Sequence, residues 1–246
     1  MDRLLRADPA VWLVFPVRGW YSPSSGFTLE ALFLEAPPVR GRQIPVTSIA
    51  EESKFVELVR GWLVSLPHDL KIAIDAMDDE NLPRAAREVA AGVIAYVVSP
   101  NDVVSDRHDA VVSYADDAVL LRLALQKALG PDEDEQSFRD RFPELFEGLE
   151  ENLALCKAVM GDLMTWLDSK VPTLSALDYK GKKITKYLDD EEAREQLFED
   201  AIVFRTDYPV DEKTITDKLK KATTIIDALK RRQADEARAK GVKARA

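Results

Sequence analysis

The chain of 246 residues has one cysteine, Cys156, and only two histidines, His68 and His108. One thiol cannot close an intramolecular disulfide or supply a cysteine-based zinc site. Two imidazoles argue against a multi-histidine metal centre. Long apolar runs are missing too. The best stretches, residues 93–98 and 119–121, are cut by polar neighbours, far short of the roughly 18–20 residues that span a bilayer. The start, Met1-Asp2-Arg3-Leu4-Leu5-Arg6, is charged, and the short apolar run 11–15 is closed by Pro16, so no secretory leader is expected. The sequence has no Gly-x-Ser-x-Gly, no phosphate-cradling glycine loop, no dinucleotide fingerprint and no Cys-x-x-Cys. Positive charge is in deficit: 34 Lys and Arg face 44 Asp and Glu, a net charge of −10. Nucleic-acid binding draws most of its affinity from cations on phosphate, so it is not expected of such a body. The length suffices to bury a core without disulfides. A cytoplasmic protein follows as the default, and the lone Cys156 fits a reducing compartment.

What is present falls into three parts. Residues 1–47 form an aromatic, proline-rich segment with Trp12, Phe15, Trp20, Tyr21, Phe27 and Phe33. Six prolines up to Pro45 exclude long helices over most of it. Its two apolar runs, split by Ser22-Pro23-Ser24-Ser25-Gly26, fit a hairpin or short helical pieces equally well. The expected role is a layer packed on the body, with a partner-binding surface as the alternative.

Residues 48–204 read as a helical domain. Ser48 precedes Glu51 by three, the spacing of a capping box. Apolar residues from Phe55 to Leu66 follow at helical steps, and Pro67 is expected to begin a second helix running to Met77. Further helices are expected over 83–98 and 109–129, the latter ended by Gly130-Pro131. Residues 131–151 carry nine acidic residues against two arginines. Phe138, Phe142, Leu145, Phe146, Leu149 and Leu153 recur there at steps of three and four, which predicts one amphipathic helix continuing through Leu167 with its acidity outward. That face is either simply solvated or a surface for a basic partner. Tyr179-Lys180-Gly181-Lys182-Lys183 reads as a turn, and residues 189–204 as a short helix with Ala193, Leu197, Ala201 and Phe204 on one face. Residues 205–246 are a linker and a basic helical tail. The last 31 residues hold ten Lys or Arg against four Asp or Glu, a local +6, which leaves −16 for the other 215. Such a tail either frays or docks on an acidic surface, a second copy, or an anionic membrane.

The most informative segment is 84–129. The first helix is rich in small residues, Ala85, Ala86, Ala90, Ala91, Gly92 and Ala95, which let a neighbour approach closely. The second is apolar almost all round, so it should be buried. Yet it carries Asp116 and Asp117 side by side, with Arg122 on the opposite side. A carboxylate in such surroundings needs a partner or a raised pKa. Asp102, Asp106, His108 and Asp109 lie just upstream, and Arg84, Arg87 and Arg107 are the nearest cations.

Tyr96, Ser99, Pro100, Asp102 and Asp106, followed by Tyr114, Asp116 and Asp117, give this segment a pattern that resembles the YkvA-like family, a bacterial domain of unknown function. The resemblance covers about 35 residues. Ser105 and Ser113 stand where the family pattern has proline and glycine, no proline follows Asp106, and Arg107-His108-Asp109 replaces an apolar turn. The resemblance implies a small helical-hairpin core and no established reaction.

Three readings of the acidic constellation follow. In the favoured one Asp102 closes the turn after Pro100, while Asp116 and Asp117 accept hydrogen bonds from the loop or pair with Arg84 or Arg87, locking two helices together. In the second, Asp102, Asp106, Asp116 and Asp117 converge on a hard cation such as Mg²⁺, Mn²⁺ or Ca²⁺. In the third, two carboxylates with separated pKa values serve hydrolysis. His68 reads as a first-turn residue, His108 as a solvated loop residue, and Cys156 as core. The fold class expected is all-α, a bundle of about seven helices with an irregular aromatic N-terminal layer and a basic helical tail. The function expected is that of a non-enzymatic interaction or scaffold protein. It would bind a protein partner or a second copy through the acidic face, the aromatic segment or the tail, with a metal-binding protein and a peripheral membrane protein as alternatives.

Overall fold

A computed structural model of the protein describes residues 48–99, 111–208 and 212–243. The chain divides into two units, residues 1–43 and 44–246. The aromatic segment 1–47 and the loop 100–110, with Asp102, Asp106 and His108, lie outside the described residues.

Among the described residues the fold is all-α, apart from one two-stranded hairpin. Helix α1 (Ile49–Asp78) opens with the anticipated capping box. The Ser48 hydroxyl accepts from the Glu51 amide at 3.2 Å, and the Glu51 carboxylate accepts from the Ser48 amide at 2.8 Å, so two otherwise unpaired donors are satisfied. The expected break at Pro67 does not occur: α1 runs through it as one helix of 30 residues. Proline has no N–H to give to the carbonyl four residues back, and that carbonyl belongs to Leu63. The Tyr208 hydroxyl donates to it instead, at 2.9 Å. The apolar stripe is also continuous across the proline, with Leu63, Leu66, Leu70 and Ala73 all fully buried.

Helix α2 (Arg84–Val98) starts after Pro83 and ends at Ser99, whose hydroxyl donates back to the Ala95 carbonyl at 2.6 Å. Its small residues do permit a close approach. The neighbour at Gly92 is a 3₁₀ segment, Val171–Ala176, and a Cβ on Gly92 would stand 2.4 Å from the Leu174 carbonyl oxygen. Helix α3 (Ala115–Ala128) follows a 3₁₀ turn, Val112–Tyr114, and every residue from Ala115 to Leu125 is buried. It is the central helix, packed by α1 and α2.

The single amphipathic helix expected over 133–167 is four helices: α4 (Glu133–Arg141), α5 (Pro143–Phe146), α6 (Leu149–Met160) and α7 (Asp162–Asp168). Pro143 cannot extend α4, and Gly148 and Gly161 adopt φ of 64° and 55°, values that glycine takes without a Cβ penalty. The apolar period survives because each piece still turns its apolar side to the same core: Phe138, Leu145, Leu149, Leu153, Cys156, Leu163 and Leu167 are buried. The acidity is largely outward, except for buried Glu135.

The turn at residues 179–183 is a hairpin of β1 (Asp178–Tyr179) and β2 (Lys182–Lys183), antiparallel, with Tyr179 opposite Lys182. Lys180 and Gly181 both have positive φ, 46° and 80°, which matches the twist of a tight two-residue hairpin. Then come α8 (Lys186–Asp189) and α9 (Glu191–Asp207), the latter burying Ala193, Leu197 and Ala201 as anticipated. Helix α10 (Glu212–Lys218) and helix α11 (Ala222–Lys243) pack on α1, and α11 also reaches α3 and α7. So residues expected as a linker and tail contribute Ile215, Leu219, Ile225 and Leu229 to the core. Among the described residues eleven α-helices stand where about seven helices were expected; the breaks inside 133–167 account for much of the difference.

Candidate functional site

The first turn of α3 holds Asp116 and Asp117, both essentially inaccessible to solvent. Carboxylates suit this place, because the unpaired amides of a helix start favour negative charge. Asp116 Oδ2 accepts the Tyr96 hydroxyl of α2 at 2.8 Å and lies 3.5 Å from Arg232 Nε of α11. Arg232 Nε lies 4.0 Å from Glu236 Oε1, and Glu236 pairs with Lys170. The Lys170 ammonium stands over two rings, 4.6 Å from the centre of Trp166 and 5.1 Å from that of Tyr96. The charges therefore alternate along Asp116, Arg232, Glu236 and Lys170 and sum to zero.

Burial raises the Asp116 carboxyl above its ordinary pKa, and Arg232, the Tyr96 hydrogen bond and Lys170 pull it back. Burial, with the charges of Asp116 and Asp117, holds the Tyr96 phenol neutral far above its usual range. Tyr96 is thus a fixed donor to Asp116. Asp117 faces the aromatic side of the same turn. Burial and then its charge raise the phenols of Tyr114 and Tyr208. Those two rings pack at 5.1 Å between centroids, and both contact Phe204.

A second buried pair lies on the other side of α3. Arg122 meets Asp69 of α1, with 2% and 1% of their side chains exposed. Arg122 Nη2 donates to Ser65 Oγ at 2.8 Å, Ser65 Oγ donates to Asp69 Oδ2 at 3.0 Å, and the guanidinium lies 4.7 Å from the Trp62 ring centre. Burial raises the Asp69 carboxyl, opposed first by the charge of Arg122. Arg122 remains the cation, since a guanidinium does not lose its proton under protein conditions.

The expected pairing of Asp116 or Asp117 with Arg84 or Arg87 is not observed. Arg84 makes a two-pronged contact with Asp189 at 2.7 and 2.8 Å, and Arg87 Nε donates to the Met77 carbonyl at 2.9 Å. Both arginines sit in the first turn of α2, whereas Tyr96 sits near its end, where α3 begins. Of the four candidate metal ligands, Asp102 and Asp106 lie outside the described residues. Among the described residues no three His, Cys, Asp or Glu side chains converge to hold a cation. A guanidinium already beside Asp116 Oδ2 opposes a metal ion at that oxygen. His68 shares an exposed 3.1 Å contact with Glu144, and Cys156 is buried, its thiol pushed up to about 12 by that burial.

Sequence reasoning missed both Arg232 and the Asp69–Arg122 pair. Arg122 was a legible signal: an arginine on a helix that is otherwise apolar requires a carboxylate, and Asp69 lies within the apolar register of α1. No family profile, curated protein or solved structure matches this chain.

Proposed function

We propose that the protein is a non-enzymatic interaction protein, binding a protein partner through exposed helical surface. The observation that carries this reading is on α9. Its buried face is made by Ala193, Leu197 and Ala201, yet Phe198, Ile202 and Val203 are 43%, 42% and 57% exposed. Single exposed apolar residues are ordinary. Three within six positions of one helix form a patch of the kind that marks contact with another protein.

Other features support the same reading. Buried Asp69 and Asp116 are held by the chain's own Arg122, Arg232 and Tyr96, which suits an architectural role. Glu133, Asp134, Glu144, Glu147, Glu150 and Glu151 are exposed along α4 to α6, a surface that suits a cationic partner. The basic tail is less available than its charge suggests, since Arg232 turns inward to Asp116. Among the described residues no helix is long and apolar enough to cross a membrane. The YkvA-like resemblance of residues 84–125 belongs to this reading and rests on the sequence pattern of Tyr96, Ser99, Pro100, Asp102, Asp106, Tyr114, Asp116 and Asp117. A cytoplasmic location also belongs to this reading, with which the lone buried Cys156 is compatible.

The test is a photoreactive residue placed at position 198 of the full chain and activated in the source cells. A discrete adduct heavier than the monomer is expected, with none from a control at exposed Lys183. Monomer alone from both positions would remove the reading.

A further inference from the structure

Resting on the interaction reading above, we infer that the partner at α9 is a second copy of this chain. The exposed stripe of α9 runs Glu195, Phe198, Ile202, Arg205, at steps of three, four and three that keep all four on one side of the helix. Phe198 and Ile202 are the apolar centre. Glu195 and Arg205 flank it, each three residues outward, about 15 Å apart along the axis. Among the described residues neither makes an ion pair, and both are exposed. Of the neighbouring charges two are engaged within the chain: Arg194 donates to the Leu188 carbonyl at 2.5 Å, and Asp200 accepts Tyr179 at 2.9 Å and Lys180 at 2.7 Å; Glu191 and Glu199 are exposed on either side of Glu195.

The pattern is its own complement. A two-fold axis through the middle of the stripe sets two α9 helices antiparallel. Phe198 of one copy then meets Ile202 of the other, and Glu195 meets Arg205, each contact occurring twice. A two-fold interface requires this kind of self-matching surface. A foreign helix would need the same order of charges reversed, whereas a second copy carries it by construction. A parallel arrangement would set glutamate against glutamate and arginine against arginine, so the charges fix the direction. One helix pair lies at the small end of stable interfaces. The dimer is therefore concentration-dependent, with four apolar side chains at its centre and two ion pairs at its rim.

The experiment is sedimentation equilibrium of the full chain over a concentration series reaching about 0.5 mM, chosen for so small an interface. A monomer–dimer equilibrium is expected. Glu195→Arg and Arg205→Glu, each alone, replace two attractions by two repulsions and should weaken it about tenfold. The double variant E195R/R205E should return to within about threefold of the original, because the reversed pairs are again opposite in sign. Phe198→Ser with Ile202→Ser should abolish it, with an unchanged helical spectrum showing the fold intact. A chain that stays monomeric throughout, or single and double charge variants that associate alike, would overturn the dimer. A heterologous adduct at position 198 alongside a purely monomeric chain would overturn the dimer while leaving the interaction reading standing.

Discussion

Tyr208→Phe removes one oxygen atom and should cost far more than its size suggests. The Leu63 carbonyl lies inside α1, four residues before Pro67, and no N–H exists at Pro67 to satisfy it. The Tyr208 hydroxyl does so at 2.9 Å, and Leu63 and Tyr208 are both buried, at 0% and 6% exposure. Phenylalanine keeps the ring against Tyr114 and Phe204 but leaves a buried carbonyl without its donor. Such a loss costs roughly 1–3 kcal/mol. For a body of about 200 residues, 2 kcal/mol corresponds to a fall of about 4–8 °C in melting temperature. The cause is isolated by repeating the change in a Pro67→Ala background. Alanine restores an N–H at position 67, so the same Tyr208→Phe change should cost less there, with a coupling of about 1 kcal/mol across the cycle. The assay is urea unfolding, with midpoints compared at constant slope. An equal cost in both backgrounds, or no cost in either, would refute the link between the proline and the tyrosine.

Asp69→Ala leaves the Arg122 guanidinium buried without its counter-ion and should cost about 3–5 kcal/mol, whereas Asp69→Leu with Arg122→Met should be near neutral in urea melts. Asp116 has a folded pKa raised by burial, so the folded chain holds its proton to higher pH than the unfolded one. Its contribution is therefore fully present below the ordinary carboxylate pKa and is lost as pH rises through the raised value. The stability difference between the wild type and Asp116→Asn should fall with rising pH across that window in melts stepped from pH 3 upward; a flat difference would contradict the shift. Gly92→Ala drives a Cβ into the Leu174 backbone and should destabilise by about 1–3 kcal/mol. Gly61→Ala, whose Cβ meets no atom within 4 Å, should stabilise α1 by about 0.5–1 kcal/mol.

Local chemistry made much of this fold readable. The Ser48–Glu51 box, the Pro83 start, the Ser99 stop and the Lys180-Gly181 turn each act through a few neighbouring residues, and each stands in the structure where the pattern placed it. Burial of the α3 carboxylates was readable too, because a helix apolar all round has no exposed side to offer them. Reading failed where distant parts decide. Pro67 reads as a helix start until Tyr208, far along the chain, supplies the missing donor. Residues 133–167 read as one helix because Gly148 and Gly161 bend the backbone without disturbing the apolar period. The partner of Asp116 was sought among nearby arginines, whereas Arg232 comes from a segment whose composition resembles a solvated tail. Its inner face is marked by Ala222, Ile225 and Leu229, ten, seven and three residues earlier.

The internal role of Asp116 is tested most directly by calorimetric titration of the full chain with Mg²⁺, Mn²⁺ and Ca²⁺, read together with the melting temperature at millimolar metal. Because the carboxylate is already held by Tyr96 and Arg232, no binding heat and no rise in melting temperature are expected. A saturable heat with a higher melting temperature, both abolished by Asp116→Asn, would show that this carboxylate serves a cation instead.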